Sequence, residues 1–176
     1  MEDTLFECRY EYNDDVDKEC LKFYHFRMPA RIVGFVICFL FVGALAGFSI
    51  YFTVYDAPEK TFYWISTAAL AAFYLFLIFN GYRRALYTNR KRRVELYGSS
   101  SAVCEYFVTD KELKFNNLAN HQEITVSLYT IVKMYETENL IILKSNGNLL
   151  HLFTKNGFTK GTPDEFVKFM RSRYCK

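Results

Sequence analysis

The chain has 176 residues, with 22 Lys and Arg against 19 Asp and Glu and a formal charge of +3. A balance so close to neutral builds no global field of the kind that draws a protein onto nucleic acid, so that class of partner is not expected. Its mean hydropathy of −0.04 resembles a soluble chain only because two very apolar stretches are averaged with polar flanks.

Residues 1–31 carry eight acidic and five basic side chains and are too few to fold alone. From Thr4 to Tyr12 the pattern alternates, with Phe6, Cys8, Tyr10 and Tyr12 on one face and Glu7, Arg9 and Glu11 on the other. That is the period of a half-buried strand. A lone strand is unstable, so this one is expected to join a sheet formed elsewhere in the chain. Asn13 or Asp14 then offers an N-cap, and Val16, Cys20 and Phe23 recur at helical spacing. The resulting amphipathic helix runs towards Pro29, where the chain is expected to bend.

Two stretches without any Asp, Glu, Lys, Arg or His follow, Ile32 to Tyr55 and Thr61 to Tyr82. At about 1.5 Å per helical residue each reaches roughly 33–36 Å, enough for a hydrocarbon core of about 30 Å. Residues 32–82 therefore read as a transmembrane helical hairpin. The first run begins after residue 31 and exceeds a signal-peptide core in length, so a cleaved signal is not expected. Lys22, Arg27 and Arg31 precede the hairpin and Arg83, Arg84, Arg90, Lys91, Arg92 and Arg93 follow it, whereas the loop Asp56-Ala57-Pro58-Glu59-Lys60 is net acidic. Retention of basic residues on the cytoplasmic side then makes this a multi-pass cell-membrane protein with both termini in the cytoplasm. Tyr51, Tyr55, Tyr63 and Trp64 fall at the outer interface and Tyr82 and Tyr87 at the inner one, as an aromatic belt requires.

Gly43 and Gly47 form a G-x-x-x-G, and Ala68 and Ala72 stand four apart on the second span. Small residues at this spacing let backbones approach closely, either between the two helices of the hairpin or along a seam between two copies of the chain. With no ionisable residue in either span, a pump, channel or proton relay is not expected. The basic residues of 83–93 form a juxtamembrane linker that sets orientation. They could also attract anionic lipid, at about 1 kcal/mol per charge near the surface.

Residues 94–176 change to short strands: Val103 to Thr109, Leu113 to Phe115, Glu123 to Ser127, Ile131 to Tyr135, Leu140 to Leu143 and Leu149 to Phe153. Ser145-Asn146-Gly147-Asn148 supplies a hairpin turn between the last two. Five or six such strands argue for a small antiparallel sheet, curled or sandwiched. Thr162-Pro163-Asp164-Glu165 is a capping box with Pro at the first helical position, and Phe166, Phe169, Met170 and Tyr174 line one face of the closing helix.

The stretch Ser127-Leu128-Tyr129-Thr130-Ile131-Val132-Lys133-Met134-Tyr135-Glu136-Thr137-Glu138, then Leu140 to Leu143, Phe158-Thr159-Lys160-Gly161-Thr162 and Glu165-Phe166, resembles the YcxB-like family of small bacterial membrane proteins. The order of parts is also similar. The resemblance implies an α+β membrane protein: an N-terminal strand and helix, two membrane helices, and a cytoplasmic pleckstrin-homology-like domain. In that family the last strand enters the closing helix through an F-[ST]-x-G-[ST] turn. It also implies a self-protection (immunity) role, because small proteins of this plan occur beside bacteriocin or toxin genes.

Little in the chain suggests catalysis. His25, His121 and His151 are isolated, without metal-ligand spacing. No phosphate loop or nucleophile elbow is present, and Asp14-Asp15 and Asp164-Glu165 suit helix starts. Cys8, Cys20, Cys38, Cys104 and Cys175 are scattered and expected as free thiols. No enzyme activity, cofactor or metal is expected. The expected role is a membrane-anchored cytoplasmic binding module whose partners are membrane lipids and either another protein or a second copy. The alternative is a structural or regulatory subunit of a larger membrane complex such as a transporter.

Overall fold

A computed structural model describes residues 3–26, 29–147 and 149–174, the side chains of 29–31 excepted. Arg27, Asn148, Cys175 and the Arg31 side chain, which entered the readings above, lie outside the described residues. The fold is mixed α+β with antiparallel sheets. Its elements in order are β1 (Phe6–Tyr12), α1 (Asp14–Phe26), α2 (Pro29–Val54), α3 (Lys60–Tyr97), β2 (Ala102–Val108), β3 (Glu112–Asn117), β4 (Gln122–Ser127), β5 (Ile131–Glu136), β6 (Leu140–Ser145), β7 (Leu150–Thr154), β8 (Phe158–Lys160) and α4 (Pro163–Arg173). Two compact units result, residues 1–20 with 88–176, and residues 21–87.

In the first unit the strands form a five-stranded sheet, β4-β3-β2-β1-β8, and a three-stranded sheet, β5-β6-β7. The alternating N-terminal strand is thus an interior one, paired with β2 along its whole length from Phe6↔Val108 to Tyr12↔Ala102 and with β8 on its other side. Phe6 and Cys8 point into the core with Val108, Leu113, Ile141, Leu143 and Phe153. Phe166, Val167 and Met170 of α4 close that core. Phe153 packs 4.3 Å from the Tyr106 ring and 4.8 Å from Phe166, and Phe6 meets Phe166 edge-on at 5.3 Å. Fully burying each such ring contributes about 1.5–3 kcal/mol.

The local signals of α4 are realised. Thr162 Oγ1 accepts from the Glu165 N–H at 3.3 Å, and the Glu165 carboxylate accepts from the Thr162 N–H at 3.0 Å. Gly161 has φ +74°, and a Cβ there would stand 2.5 Å from the Phe6 ring, so the turn into the helix needs glycine on both counts. β8 has only three residues, too short for a periodicity signal, and the sequence reading takes it as part of that turn.

In the second unit α2 and α3 are both long and apolar enough to cross a membrane by length and composition. The stretch 83–93, expected as a linker, is helical, because α3 continues without a break to Tyr97. No Gly or Pro interrupts the run between Gly81 and Gly98, and Arg, Lys, Leu and Glu favour helix. Gly98 ends it at φ +67°, its N–H still reaching the Val94 carbonyl at 2.9 Å.

Candidate functional site

The small residues of the hairpin are not where its helices meet. Gly43, Gly47, Ala68 and Ala72 are all exposed, and a Cβ built on Gly43 or Gly47 would meet nothing within 4 Å. The seam runs instead through Ser49 and Thr67, whose hydroxyls lie 3.1 Å apart, and through Phe52 stacked on Tyr63 at 4.4 Å. Each hydroxyl also reaches a carbonyl one turn back in its own helix, Leu45 and Tyr63. Trp64 Nε1 donates to Thr53 Oγ1 at 3.0 Å near the connecting loop. At 100° per residue Gly43 and Gly47 stand roughly 120° and 160° around α2 from Ser49, which turns them away from α3. Packing of the two helices through these small residues is therefore corrected; their outward face is what a contact outside the hairpin would meet.

The basic residues also divide. Arg83, Arg84 and Arg92 are exposed without an ion-pair partner among the described residues. Arg90 lies 3.7 Å from Asp14 and Lys91 3.7 Å from Glu95, both as exposed pairs. Arg93 leaves the group altogether, being only 3% exposed. Its guanidinium donates to Asp17 and Asp14, to the Ser100 carbonyl at 3.0 Å and to the Asn13 carbonyl at 3.3 Å. It also lies over the Tyr12 ring, 5.1 Å from the centroid. Asp17, itself buried, accepts in addition from the Tyr12 hydroxyl at 2.5 Å and from Asn89 Nδ2 at 3.4 Å. Burial, then the hydrogen bond to Asp17, pushes the Tyr12 phenol well above its usual range. This network ties the end of β1 and the first turn of α1 to the last turns of α3. Neither Arg93 nor Asp17 can be read out of the sequence in this role: Arg93 is one Arg in a run, and Asp14 with Asp17 looks like an ordinary acidic helix start. The one available signal is their i, i+3 spacing, which puts both carboxylates on one face of α1.

Beside this network, β1, α1 and the turns at Asn139 and Gly157 enclose an open cleft of about 400 Å³. Arg9, Asn13, Asp15, Glu19 and Asn156 line it with the apolar Val16 and Leu140. Glu19 is its most strongly held group. Burial alone would raise its carboxyl, but donation from Thr137 Oγ1, the Asn139 N–H at 2.8 Å and Asn139 Nδ2 at 3.0 Å outweighs that and holds it below the usual carboxylate range. The cleft is therefore walled by a carboxylate that ties α1 to the Thr137–Asn139 turn, with the amide side chains of Asn13, Asn139 and Asn156 beside it.

Reactive groups elsewhere are quenched by burial. It pushes the Cys8 and Cys20 thiols up to about 11 and Cys104 to about 12, so none is a thiolate at neutral pH. Cys8, Cys20, Cys38 and Cys104 are free. His151 is buried, its Nε2 has no hydrogen-bond partner among the described residues, and desolvation lowers its pKa. Among the described residues no three His, Cys, Asp or Glu side chains converge as a metal site would require. Compared with known proteins, the chain matches no family model and no curated protein.

Proposed function

We propose that the chain is a non-enzymatic, membrane-anchored binding module of YcxB-like type. The hairpin crosses the bilayer twice, both termini stay in the cytoplasm, and the pleckstrin-homology-like β domain is held at the inner leaflet. The observation that carries this reading is where the hairpin is inserted. It interrupts the chain between β1 and β2, which then pair side by side over seven residues. A chain that leaves a sheet and returns to the neighbouring strand must come back to the side it left. An even number of crossings follows, and two uncharged helices supply it. The basic flank then places that side in the cytoplasm, with Arg83 and Arg84 nearest the headgroups.

Recognition is assigned to the β domain, because the spans carry no ionisable group and the domain holds the fixed Glu19 cleft. A self-protection role against a bacteriocin or toxin is the concrete version, motivated by the resemblance of residues 127–170 to that family. The topology is tested with single cysteines at Glu59 and Ser99 in intact cells. An impermeant maleimide should label the first directly and the second only after permeabilisation, and equal labelling would end the two-crossing reading. Protection is tested by challenging a sensitive host expressing the chain with any toxin encoded beside it; unchanged killing rejects the immunity role.

The outward face of Gly43, Gly47, Ala68 and Ala72 favours a second reading, a subunit that packs against the spans of a larger complex. Purification in mild detergent separates the two, since a chain that runs without other proteins disfavours the subunit reading.

A further inference from the structure

Two open sheets have four edges, and three of them are blunted. β8 is three residues long and runs directly into the turn before α4. β7 is buried at His151, Leu152 and Phe153. β5 has a register shift between Ile131 and Lys133 and carries exposed Lys133 and Glu136, devices that discourage further pairing. β4 is longer than β8, is not buried like β7 and has no register break like β5. All six residues pair with β3 in unbroken register, Glu112↔Ser127 to Asn117↔Gln122. Five of the six are exposed, Glu123 is the single charge, and the centre is the strand-forming Ile124-Thr125-Val126.

The backbone direction of this edge follows from one bond. The Leu128 N–H donates to the Lys111 carbonyl at 2.8 Å, so Val126, Ile124 and Gln122 also exchange bonds with β3. Glu123, Thr125 and Ser127 therefore point their N–H groups away from the sheet, and no described residue accepts from those of Glu123 and Thr125. The side chains add a second fact. Val126 lies opposite fully buried Leu113 and Ile124 opposite Phe115, so both are on the core-facing side, yet Ile124 is 38% exposed. Among the described residues no strand lies beyond β4 to complete its cover.

We infer that β4 pairs antiparallel with β4 of a second copy, joining two five-stranded sheets across a twofold axis at Thr125. Alternation allows only registers that set outward-facing residues opposite one another, and the one centred on Thr125 alone pairs all three, Glu123, Thr125 and Ser127. It places Glu123 against Ser127 of the other strand, so no like charges face each other. It also places Ile124 against Val126 of the other strand, on the core-facing side, where each isoleucine gains the cover it lacks. The register centred on Glu123 would instead oppose two carboxylates. The strand thus complements itself, as a twofold interface requires.

The test uses the full chain in nanodiscs or mild detergent. Directly paired residues have Cα atoms about 5.5 Å apart, within disulfide range. Thr125→Cys should therefore give a covalent dimer on mild oxidation, and Lys133→Cys and the unmodified chain should not. Thr125→Pro removes an outward N–H that β3 does not use and should weaken dimerisation at least tenfold in sedimentation. A chain that is monomeric at every concentration, or a dimer that Thr125→Pro leaves intact and Thr125→Cys does not cross-link, overturns the inference. If the proline variant fails to fold by circular dichroism, the cysteine cross-link decides alone. Thr125→Cys cross-linked in cells to a different protein would give the edge to a partner's strand and overturn the second-copy assignment.

Discussion

The hairpin and the β domain are packed inside out relative to one another. In the domain Phe153 and Phe166 are fully buried and charged side chains cover the outside, whereas in the hairpin Phe39 is 78% exposed and the most buried of the described residues are Ser49 and Thr67. The same physical rule gives both patterns if the surroundings differ: water drives rings inward in the domain, while a hydrocarbon solvent offers no such drive and polar groups seek each other. That inversion supports the bilayer reading independently of chain length. The largest test of it compares two phenylalanines. Phe153→Ala should cost the domain about 3–5 kcal/mol, whereas Phe39→Ala should leave thermal unfolding of the full chain in detergent within about 0.5 kcal/mol. A comparable loss at Phe39 would mean that the hairpin is packed like a soluble core.

The next contrast lies between two ion pairs a turn apart on α3. Asp17→Asn removes the buried one of the two carboxylates that hold the Arg93 guanidinium, leaving the half-exposed Asp14, and should cost about 2–3 kcal/mol. Arg90→Gln breaks an exposed pair with Asp14 and should cost below about 1 kcal/mol. Chemical denaturation followed by a domain probe such as far-UV circular dichroism measures both, and equal losses would show that the buried network does not hold the end of α3.

Where the chain speaks in periods, its elements were legible. The alternation from Thr4 to Tyr12, the uncharged spans, the strands from Val103 to Phe153 and the capping box at Thr162 each name their element because local pattern and tertiary place agree. Failure came where the signal was too short or had no phase. β8 is three residues, and α2 is apolar all round, so its pattern does not tell which stripe faces α3. The Gly43 and Gly47 motif marks a face for close approach, but the stripe that meets α3 is the one through Ser49. The continuation of α3 is written in the absence of Gly and Pro before Gly98, and helix propensity there outweighs the repulsion of a run of like charges. The burial of Arg93 was not readable, because it depends on two carboxylates far away in sequence. For the site, the exposed Arg83 and Arg84 were visible as charges, but the Glu19 cleft needs the turn at Asn139 brought onto α1.

A smaller effect tests the domain's polar interior. Because burial holds the His151 pKa below that of an unfolded chain, folding excludes a proton that the unfolded state binds. Its stability contribution is therefore intact above about pH 6.5 and declines as pH falls from there towards the folded pKa. His151→Phe should flatten that part of the stability profile between pH 7 and 5 without removing the acid loss due to carboxylates. An unchanged profile would mean that His151 titrates normally.

The smallest expected effect bears on the hairpin seam and is the sharpest test of its geometry. Ser49→Ala removes the hydroxyl partner of Thr67 from a buried position, and such interhelical bonds average about 0.6 kcal/mol in membrane proteins. Gly43→Ala adds a methyl where nothing lies within 4 Å. Within one chain, then, the serine variant should loosen the association of the two helices slightly and the glycine variant should leave it unchanged. Energy transfer between labels far from the connecting loop, near Val33 on α2 and Tyr82 on α3, in denaturing detergent, reports this directly. If Gly43→Ala loosens the pair more than Ser49→Ala, the small-residue face is the intramolecular seam after all. If Gly43→Ala instead shifts only the concentration dependence of association, that face meets another chain while Ser49 and Thr67 hold the hairpin.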